Sequence, residues 1–475
     1  MNFNGKQRKN QVTIANILEQ QEMVRKAEEV KEGLKAATWH ELETKGKFTK
    51  NDKLTFIKDD MLILGCDIGS ETHFLRAIDT RGRELSKSAL SFDNNLEGFE
   101  KALDWATKLA AAYEKTQIVM GLEPTGHYWF SLATWMISHG ISIVQVNPYA
   151  VKQTKEIEDN SQKKDDRKDP KVIANLVKDG NYGLPYLPEG LYSDIRGLSL
   201  FRDQLTEDRI RCINRLHREM RIHFPEYKEA FGRVDGIFCL SVLKEAPFPE
   251  DLAALGSKGI QDIWHQAKLR GRGYSRAREI VETAEKSVGI KEGSGAGKQA
   301  VQWFVDSILR IEEQLERINE QLEQKCTEIP HAEKLLEICG LGKNTLSGIL
   351  AEMGDLKRFD DVKEIQKLSG LSLVSCDSGK HKGETRISYR GRKRLRYWLF
   401  QAAKSVVAHA PEFKELHAYY VTRTDNPLKK MQSLIVIACK LLRIVYAIMK
   451  NGTVYDPKKM LRDIRREEKR QIQVA

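Results

Sequence analysis

Four acidic residues stand where carboxylates can take part in metal chemistry. Asp67 ends the apolar run MLILGCD and Glu123 ends the apolar run QIVMGLE, while Asp166 and Asp169 lie in KKDDRKDPKVIANL, just before an apolar helical pattern. A carboxylate that ends a buried strand is costly unless it is paired or holds a cation. If the two strands are neighbours, these acids converge at one sheet edge. Four carboxylates there could hold two Mg²⁺ ions about 3.5–4 Å apart, which would activate the attacking oxygen and stabilise the leaving oxygen of a phosphodiester.

The DIGS segment that contains Asp67 has two other interpretations. A strand-ending DxG[ST] motif contacts phosphate and metal in actin-like and sugar-kinase ATPases, and DIGS fits this motif. Alternatively, Asp67 is a capping residue in a hairpin turn. The short motif alone does not decide between a nuclease ligand, a kinase phosphate contact and a structural cap.

The elements that must position these acids alternate in the manner of a mixed α/β sheet. The first strand pattern, MLILGCDIG, begins at Met61, and ETHFLRAIDTRG follows as its hairpin partner. The segment ELSKSALSFDN is a third strand. After an amphipathic helix, the short strands QIVMGLEP and ISIVQVNP alternate with the helical segments GHYWFSLATWMISHG and AVKQTKEIED. Three strands in a meander followed by alternating strands and helices predict a mixed sheet that is covered on both faces.

The remainder of the chain has mostly helical patterns. Seven apolar residues step by three and four, which predicts a coiled coil or an antiparallel hairpin seam, although an ordinary bundle helix is an equal alternative. They are Val301, Phe304, Ile308, Ile311, Leu315, Ile318 and Leu322. We therefore expect a helical N-terminal extension (1–60), the α/β domain (61–190), a helical coiled-coil linker and dimerisation region (191–330), a mostly helical C-terminal domain (331–450) and a charged tail (451–475).

Composition narrows the class of protein. The 475 residues include 78 Lys and Arg against 67 Asp and Glu, which gives a net charge of +11 and favours polyanionic partners. The seven cysteines form no CxxC motif, so we expect reduced thiols and no zinc site. The N-terminus has no apolar signal region, and long uninterrupted apolar runs are absent from the sequence. We expect a cytoplasmic protein without a membrane anchor.

Two basic segments are candidates for nucleic-acid binding. The helical segment RIRCINRLHREMRIHFPE and its flanks offer Arg209, Arg211, Arg215, Arg218 and Arg221, whose charge alone suffices for contacts with phosphates. The segment 380–396 has eight Lys or Arg among 17 residues and one acid. Its candidate contacts are Lys380, Lys382, Arg386, Arg390, Arg392, Lys393 and Arg394.

Ser378 lies at the head of this second basic segment, in a DSG turn. Serine hydroxyls are poor nucleophiles without a base, a metal or cationic surroundings. On chemistry alone, Ser378 is therefore more often a turn residue than a nucleophile.

Four motifs in order carry a family resemblance: DIGSETH, EPTGHYW, VNPYAVK and KKDDRKDPKVIANL. Together they resemble the DEDD-type transposases of the insertion-sequence 110 family, whose first domain is similar to Holliday-junction resolvases of the RuvC type, with a ribonuclease-H-like sheet. The resemblance spans about Met61 to Ala403. It implies that Asp67, Glu123, Asp166 and Asp169 form an acidic tetrad with Mg²⁺, and it disfavours the kinase interpretation.

The chain departs from the family after the last acid of the tetrad, where the family usually has alanine and this chain has Pro170. Proline suits a first helical turn and favours an extended residue before it. We therefore expect Asp169 to be the helix N-cap and Asp166 to lie before the helix. Asp165 remains an alternative ligand to Asp166.

The segment around Ser378 resembles the second conserved domain of the family, whose serine attaches covalently to DNA. Ser378 is the matching position, with Ser375 and Cys376 as nearby alternatives. No histidine triad is evident, so activation would fall to nearby cations and to the metal-bound acids of the first domain. Such a composite site requires the two domains to meet, within one subunit or between subunits.

The sequence thus predicts a DNA transposase or recombinase of a mobile element. The resemblance further implies donor and target DNA, a structured guide (bridge) RNA and a homo-oligomer, either a dimer or a tetramer. One alternative is a metal-dependent junction endonuclease in which Ser378 is structural. Another is a non-catalytic DNA- or RNA-binding scaffold with a degenerate nuclease fold.

Overall fold

The computed structural model describes residues 19–34, 49–158, 168–271, 273–374, 377–378, 381–382, 385–461 and 464. These residues form two compact units, one ending at Leu187 and the other beginning at Pro188. The first unit is a mixed α/β domain, and the second is almost entirely helical.

The first unit combines six strands with helices on both faces of the sheet. Its strands are β1 (Met61–Asp67), β2 (Thr72–Ile78), β3 (Leu90–Asp93), β4 (Gln117–Leu122), β5 (Ser142–Val146) and β6 (Tyr182–Gly183). Its helices are α1 (19–34), α2 (Lys50–Phe56), α3 (Leu96–Ala112), α4 (Trp129–Ser138), α5 (Pro148–Glu158) and α6 (Asp169–Lys178).

The strands are arranged in the order β3-β2-β1-β4-β5-β6. The first three form an antiparallel meander, and β4 and β5 then add in parallel to β1. This arrangement confirms the predicted mixed α/β fold and agrees with a RuvC-like domain. The sequence did not predict β6, which pairs antiparallel with β5 over two residues.

Both faces of the sheet are covered, which explains why β1 is apolar along nearly its whole length. On one face, Leu62 and Leu64 pack with α3 and α4, and Leu34 of α1 joins the same cluster. On the other face, Ile63 packs with the apolar side of α6, including Ile173. The central strands are therefore buried between two helical layers.

The second unit consists of helices and short hairpins. Its helices are α7 (Gly190–His223), α8 (Tyr227–Phe231), α9 (Ile237–Glu245), α10 (Pro249–Gln266), α11 (Tyr274–Glu285), α12 (Ser294–Thr327), α13 (Ala332–Leu335), α14 (Lys343–Met353), α15 (Val362–Leu368), α16 (Lys393–His409), α17 (Pro411–Thr422) and α18 (Lys430–Asn451). Its strands are β7 (Leu373–Val374), β8 (Asp377–Ser378), β9 (His381–Lys382) and β10 (Arg386–Ile387).

The two longest helices, α7 and α12, run antiparallel along each other. Ion pairs fix the direction, because Asp194 near the start of α7 meets Lys325 at 2.7 Å, and Arg209 further along meets Glu312 at 2.6 Å. One end of the pair packs with α8–α11 and the other with the C-terminal helices. The heptad residues of α12 thus find a partner within the chain, and dimerisation through this segment stays a prediction.

Among the described residues, α18 is the one helix that is long and apolar enough to cross a membrane. Its inner face, which includes Ile437, Leu441 and Val445, is fully buried in the core of the second unit. It packs there against α16 and α17, which is the environment of a core helix.

The six described cysteines are free thiols, and Cys376 lies outside the described residues. Four are buried, Cys439 is half-buried and Cys339 is exposed. Burial raises the pKa of the Cys66 and Cys239 thiols well above the usual range, which makes them poor nucleophiles.

Candidate active site and nucleic-acid surface

Asp67 and Glu123 lie side by side at the carboxyl edge of the sheet. Asp67 is the last residue of β1, and Glu123 directly follows β4. The parallel register pairs Cys66 with Leu122, so the next residue on each strand is one of the two acids. Because paired strands lie about 4.8 Å apart, the two backbones hold these acids as neighbours. Both acids are half-buried.

Helix α6 covers the face of the sheet on which these acids lie. Gly65 and Gly121 are paired in the β1–β4 register, and each is two residues before one of the acids. A Cβ at Gly65 would overlap the carbonyl oxygen of Pro170, and a Cβ at Gly121 would overlap Cγ2 of Val177. The two glycines therefore permit the close approach that brings the start of α6 onto the strand ends.

Asp169 is the first residue of α6 and is only 7% exposed. The prediction that it would be the N-cap is wrong by one position, because the N-cap is Lys168, which has helical φ and ψ angles. An i→i+3 bond from the Lys171 N–H to the Lys168 carbonyl at 3.1 Å begins the helix there. The close packing of α6 on the sheet outweighs the extended preference of a residue before proline.

Asp166 and its alternative Asp165 lie outside the described residues, so the choice between them stays open. Three of the four predicted acids can thus be placed, and all three lie at one edge of the first unit.

Electrostatic interactions connect Glu123, Asp169 and Lys155. Burial raises the pKa of the Glu123 carboxyl, the charge of Asp169 raises it further, and Lys155 opposes both effects. The ammonium of Lys155, on α5, forms an ion pair with Oδ1 of Asp169. Sequence reasoning missed Lys155. The only signal was its place in the helical segment that follows VNPYAVK.

The donor set fits a divalent cation. Carboxylate oxygens are the ligands that Mg²⁺ prefers, and the repulsion between Glu123 and Asp169 is of the kind that a bound cation relieves. Within the part of the chain that the structure describes, no three His, Cys, Asp or Glu side chains form a ready-made metal cluster. Asp67, Glu123 and Asp169 would hold the cation, and the predicted tetrad adds one acid from 159–167.

Ser378 lies in a two-residue strand of the second unit. Strands β8 and β9 pair antiparallel, with Asp377 opposite Lys382 and Ser378 opposite His381. The backbone register therefore makes His381 the cross-strand neighbour of Ser378. The sequence did not predict this pairing. Ser375 and Cys376 lie outside the described residues.

The predicted arginines of α7 fall into two groups. Arg209 is bound to Glu312 and Asp235, and Arg211 is paired with Asp208. Arg215, Arg218 and Arg221 are exposed, and none of the three has an ion pair within the described chain. Only the second group has charge that is not already neutralised.

The second basic segment divides in the same way. Arg392 donates to the Glu352 carbonyl oxygen at 2.6 Å, and Arg394 is paired with Asp203. Arg386 and Lys393 are exposed and lack acidic partners among the described residues. Arg390 is also exposed, but its side chain already interacts with another group of the protein. Lys380 lies outside the described residues, and only the backbone of Lys382, in β9, is described.

Comparison with known proteins matches both conserved regions. A DEDD-type transposase model matches residues 64–225, and the model of the transposase IS116/IS110/IS902 family matches residues 332–418. The first range contains Asp67, Glu123 and Asp169, and the second contains Ser378.

Individual relatives agree with these matches. The chain is 22% identical to the insertion element IS116 uncharacterized 44.8 kDa protein of Streptomyces clavuligerus, over 84% of this chain and 97% of that protein. It is 30% identical to the pilin gene-inverting protein of Moraxella bovis, over 50% of this chain and 75% of that protein. It is 24% identical to the mini-circle putative transposase for IS117 of Streptomyces coelicolor, over 66% of this chain and 77% of that protein. The chain therefore belongs to the IS116/IS110/IS902 family of transposases.

Proposed function

We propose that this transposase cuts and rejoins DNA strands with an acidic metal site, made of Asp67, Glu123, Asp169 and Asp166, and with the hydroxyl of Ser378. The observation that carries the proposal is that Asp67 and Glu123 end neighbouring strands and that Asp169 begins the helix packed against those strands. Relatives from Moraxella are named as pilin gene-inverting proteins, and inversion of a gene is a recombination reaction.

In the proposed reaction, Oγ of Ser378 attacks a phosphodiester phosphorus of DNA. An Oγ–P bond forms, the P–O bond to one deoxyribose breaks, and the leaving sugar oxygen takes up a proton while the serine loses its own. A hydroxyl of a second strand then attacks the phosphoserine, which restores a phosphodiester and the free serine. The number of phosphate ester bonds is unchanged, so strand exchange needs no energy-rich cofactor.

The acids and the exposed cations have separate roles in this proposal. When bound, Mg²⁺ supplies Lewis-acid stabilisation of the charge that develops on the phosphate. Asp67, Glu123 and Asp169 would hold that cation, and Lys155 balances the charge of Asp169. Arg386 and Lys393 surround the DNA phosphates with positive charge, which favours attack by a serine oxygen.

The test of the serine is a covalent adduct. Wild-type protein incubated with labelled DNA and Mg²⁺ should give a protein–DNA band that survives denaturation, and Ser378→Ala should abolish it. Ser375→Ala and Cys376→Ala are the matched controls and should retain the adduct. Loss of the adduct in a control with retention in Ser378→Ala would contradict the assignment.

A metal-dependent endonuclease is the second candidate, because the three placed acids come together within the first unit alone. In that case Ser378→Ala would cut DNA at the wild-type rate, and water would be the nucleophile. A non-catalytic scaffold would show neither adduct nor cleavage in the wild-type protein.

The partners in this proposal are donor and target DNA, a structured guide RNA and further copies of the chain. Nucleic acid that copurifies with the protein from its host should contain one discrete RNA encoded by the element. Random RNA fragments alone would count against the guide. The mass of the purified complex should correspond to two or four chains, and a monomer would contradict assembly.

A further inference from the structure

A basic pocket lies where the last turns of α7 meet α8 in the second unit. It has a volume of about 370 Å³ and is lined by Asn214, His217, Arg218, Arg221, Ile222 and Lys228. None of these lining residues is acidic. Arg218, Arg221 and Lys228 are exposed, and within the described chain none of them has an ion pair.

Two arginines earlier on the same helix are neutralised by acids. Arg211 has Asp208 beside it, and Arg209 is bound by Glu312. At the pocket, Arg218 and Arg221 lie one helical turn apart, where like charges repel each other. Three cations that line a pocket with no acid among its lining residues are the pattern of a surface whose anion comes from another molecule.

His217 adds an imidazole ring to the cations of the pocket. Its Nδ1 lies 2.6 Å from the hydroxyl of Tyr227, whose side chain is almost fully buried. Burial lowers the pKa of His217, and the charges of Lys228 and Arg221 lower it further, against a smaller opposite effect of Asp235. Because the Tyr227 hydroxyl engages Nδ1, Nε2 is the ring nitrogen that remains to bind another group. The pocket therefore combines an imidazole that is held by Tyr227 with three exposed cations.

We propose that this pocket binds phosphate groups of a nucleic-acid backbone and takes no part in strand cleavage. Arginine and lysine bind backbone phosphates without reading bases, and a helix lined with them follows a strand of phosphates. The exposed Arg215 continues the positive surface one turn earlier along α7, so the surface is longer than a single small anion requires. The inference rests on the proposed function only for the identity of the partner.

The test compares two triple variants of the full chain that lose the same charge. Arg218→Gln/Arg221→Gln/Lys228→Gln removes the pocket cations. Arg278→Gln/Lys291→Gln/Arg317→Gln removes three cations that are each paired with a glutamate elsewhere in the unit. Binding to labelled duplex DNA and to duplex RNA of the same sequence is measured by fluorescence anisotropy between 50 and 300 mM salt, values on the order of those over which phosphate contacts are lost.

The pocket variant should bind at least about 10-fold more weakly, and the slope of log K against log salt should fall by about 2 to 3, since each lost phosphate contact removes about 0.9. The charge-keeping variant Arg218→Lys/Arg221→Lys/Lys228→Arg should bind like the wild type. A loss on DNA assigns the pocket to DNA, and a loss on RNA assigns it to RNA. Equal losses in pocket and control variants, or no loss on either duplex, would overturn the inference.

The same assays separate this inference from the proposed function. Asp67→Asn should keep wild-type affinity for both duplexes while losing cleavage. If Asp67→Asn cuts DNA normally and the pocket variant binds weakly, the metal chemistry fails and the pocket stands. If the pocket variant binds normally and Asp67→Asn loses cleavage, the pocket fails alone.

Discussion

The ammonium of Lys155 on α5 forms an ion pair with the carboxylate of Asp169 at the start of α6. This contact places a protein cation beside the acids that would hold a metal ion. It also balances a carboxylate that is nearly buried and that lies close enough to Glu123 to raise its pKa. We therefore expect Lys155 to stabilise the metal-free site and to oppose the entry of a divalent cation.

Replacing Lys155 with Met should change stability and metal affinity in opposite directions. Loss of this partly buried ion pair should lower the free energy of unfolding in EDTA by about 1–3 kcal/mol, because Asp169 keeps a charge without a partner. Loss of the neighbouring positive charge should tighten Mn²⁺ binding by about 3- to 10-fold. Denaturant unfolding and titration calorimetry measure the two effects.

Lys152 is the matched control for Lys155, since it is exposed on the same helix. Lys152→Met should leave both quantities near the wild-type values, and Lys155→Arg should keep most of the stability. Weaker Mn²⁺ binding in Lys155→Met would show that Lys155 supports the cation instead of opposing it.

Glu123→Gln should separate stability from metal binding. The substitution removes a half-buried charge that Asp169 repels, so the metal-free protein should be equally stable or more stable by up to about 1 kcal/mol. At about 100 times the wild-type Kd, Mn²⁺ should stabilise the wild type by about 2.7 kcal/mol and the variant by much less. Glu100→Gln, on the exposed side of α3, is the control and should respond to Mn²⁺ like the wild type.

Gly65→Ala should damage the site without altering any acid. The added Cβ would overlap the carbonyl oxygen of Pro170, so α6 and Asp169 must shift away from the sheet. We expect a loss of about 2 kcal/mol or more in the free energy of unfolding, together with weaker Mn²⁺ binding. Gly183→Ala has open space around its Cβ and should have little effect on either. A fully stable Gly65→Ala protein would contradict the described packing of α6.

The acids at the strand ends could be predicted because a carboxylate that interrupts an apolar strand is conspicuous in sequence. Lys155 could not, because Lys152 shows the same local pattern and only the packing of α5 on α6 selects one of them. The N-cap of α6 was misplaced for a related reason. Pro170 packs against Gly65, and this packing places the preceding residue in the helix. The preference of a residue before proline for an extended backbone is the weaker effect.

The two basic residues Arg392 and Arg386 should behave differently although they are six positions apart. Arg392→Gln loses its bond to the Glu352 carbonyl oxygen and should lower the free energy of unfolding by about 1–2 kcal/mol. Arg386→Gln should change stability by less than about 0.5 kcal/mol and should weaken DNA binding instead. Chemical denaturation and anisotropy distinguish these outcomes, and the reverse pattern would refute the division of the segment into structural and DNA-facing residues.

The sequence could not predict which of these residues are structural, because the hydrogen-bond partners of Arg392 and Arg394 lie about 40 and 190 residues away along the chain. The heptad pattern of α12 was equally incomplete. It predicted a seam, and only the structure shows that α7 of the same chain lies along it.

The most direct measurement is DNA strand cleavage by Asp67→Asn in the presence of Mg²⁺, with Asp104→Asn as the control. Asp104 is a half-buried acid paired with Lys108 on α3, so its loss removes the same charge from the same unit. We predict that Asp67→Asn binds DNA normally and cuts it at least about 100-fold more slowly, because the acidic site no longer holds its metal ion. Asp104→Asn should cut at the wild-type rate. Wild-type cleavage by a folded Asp67→Asn protein would contradict the assignment of strand cleavage to these acids.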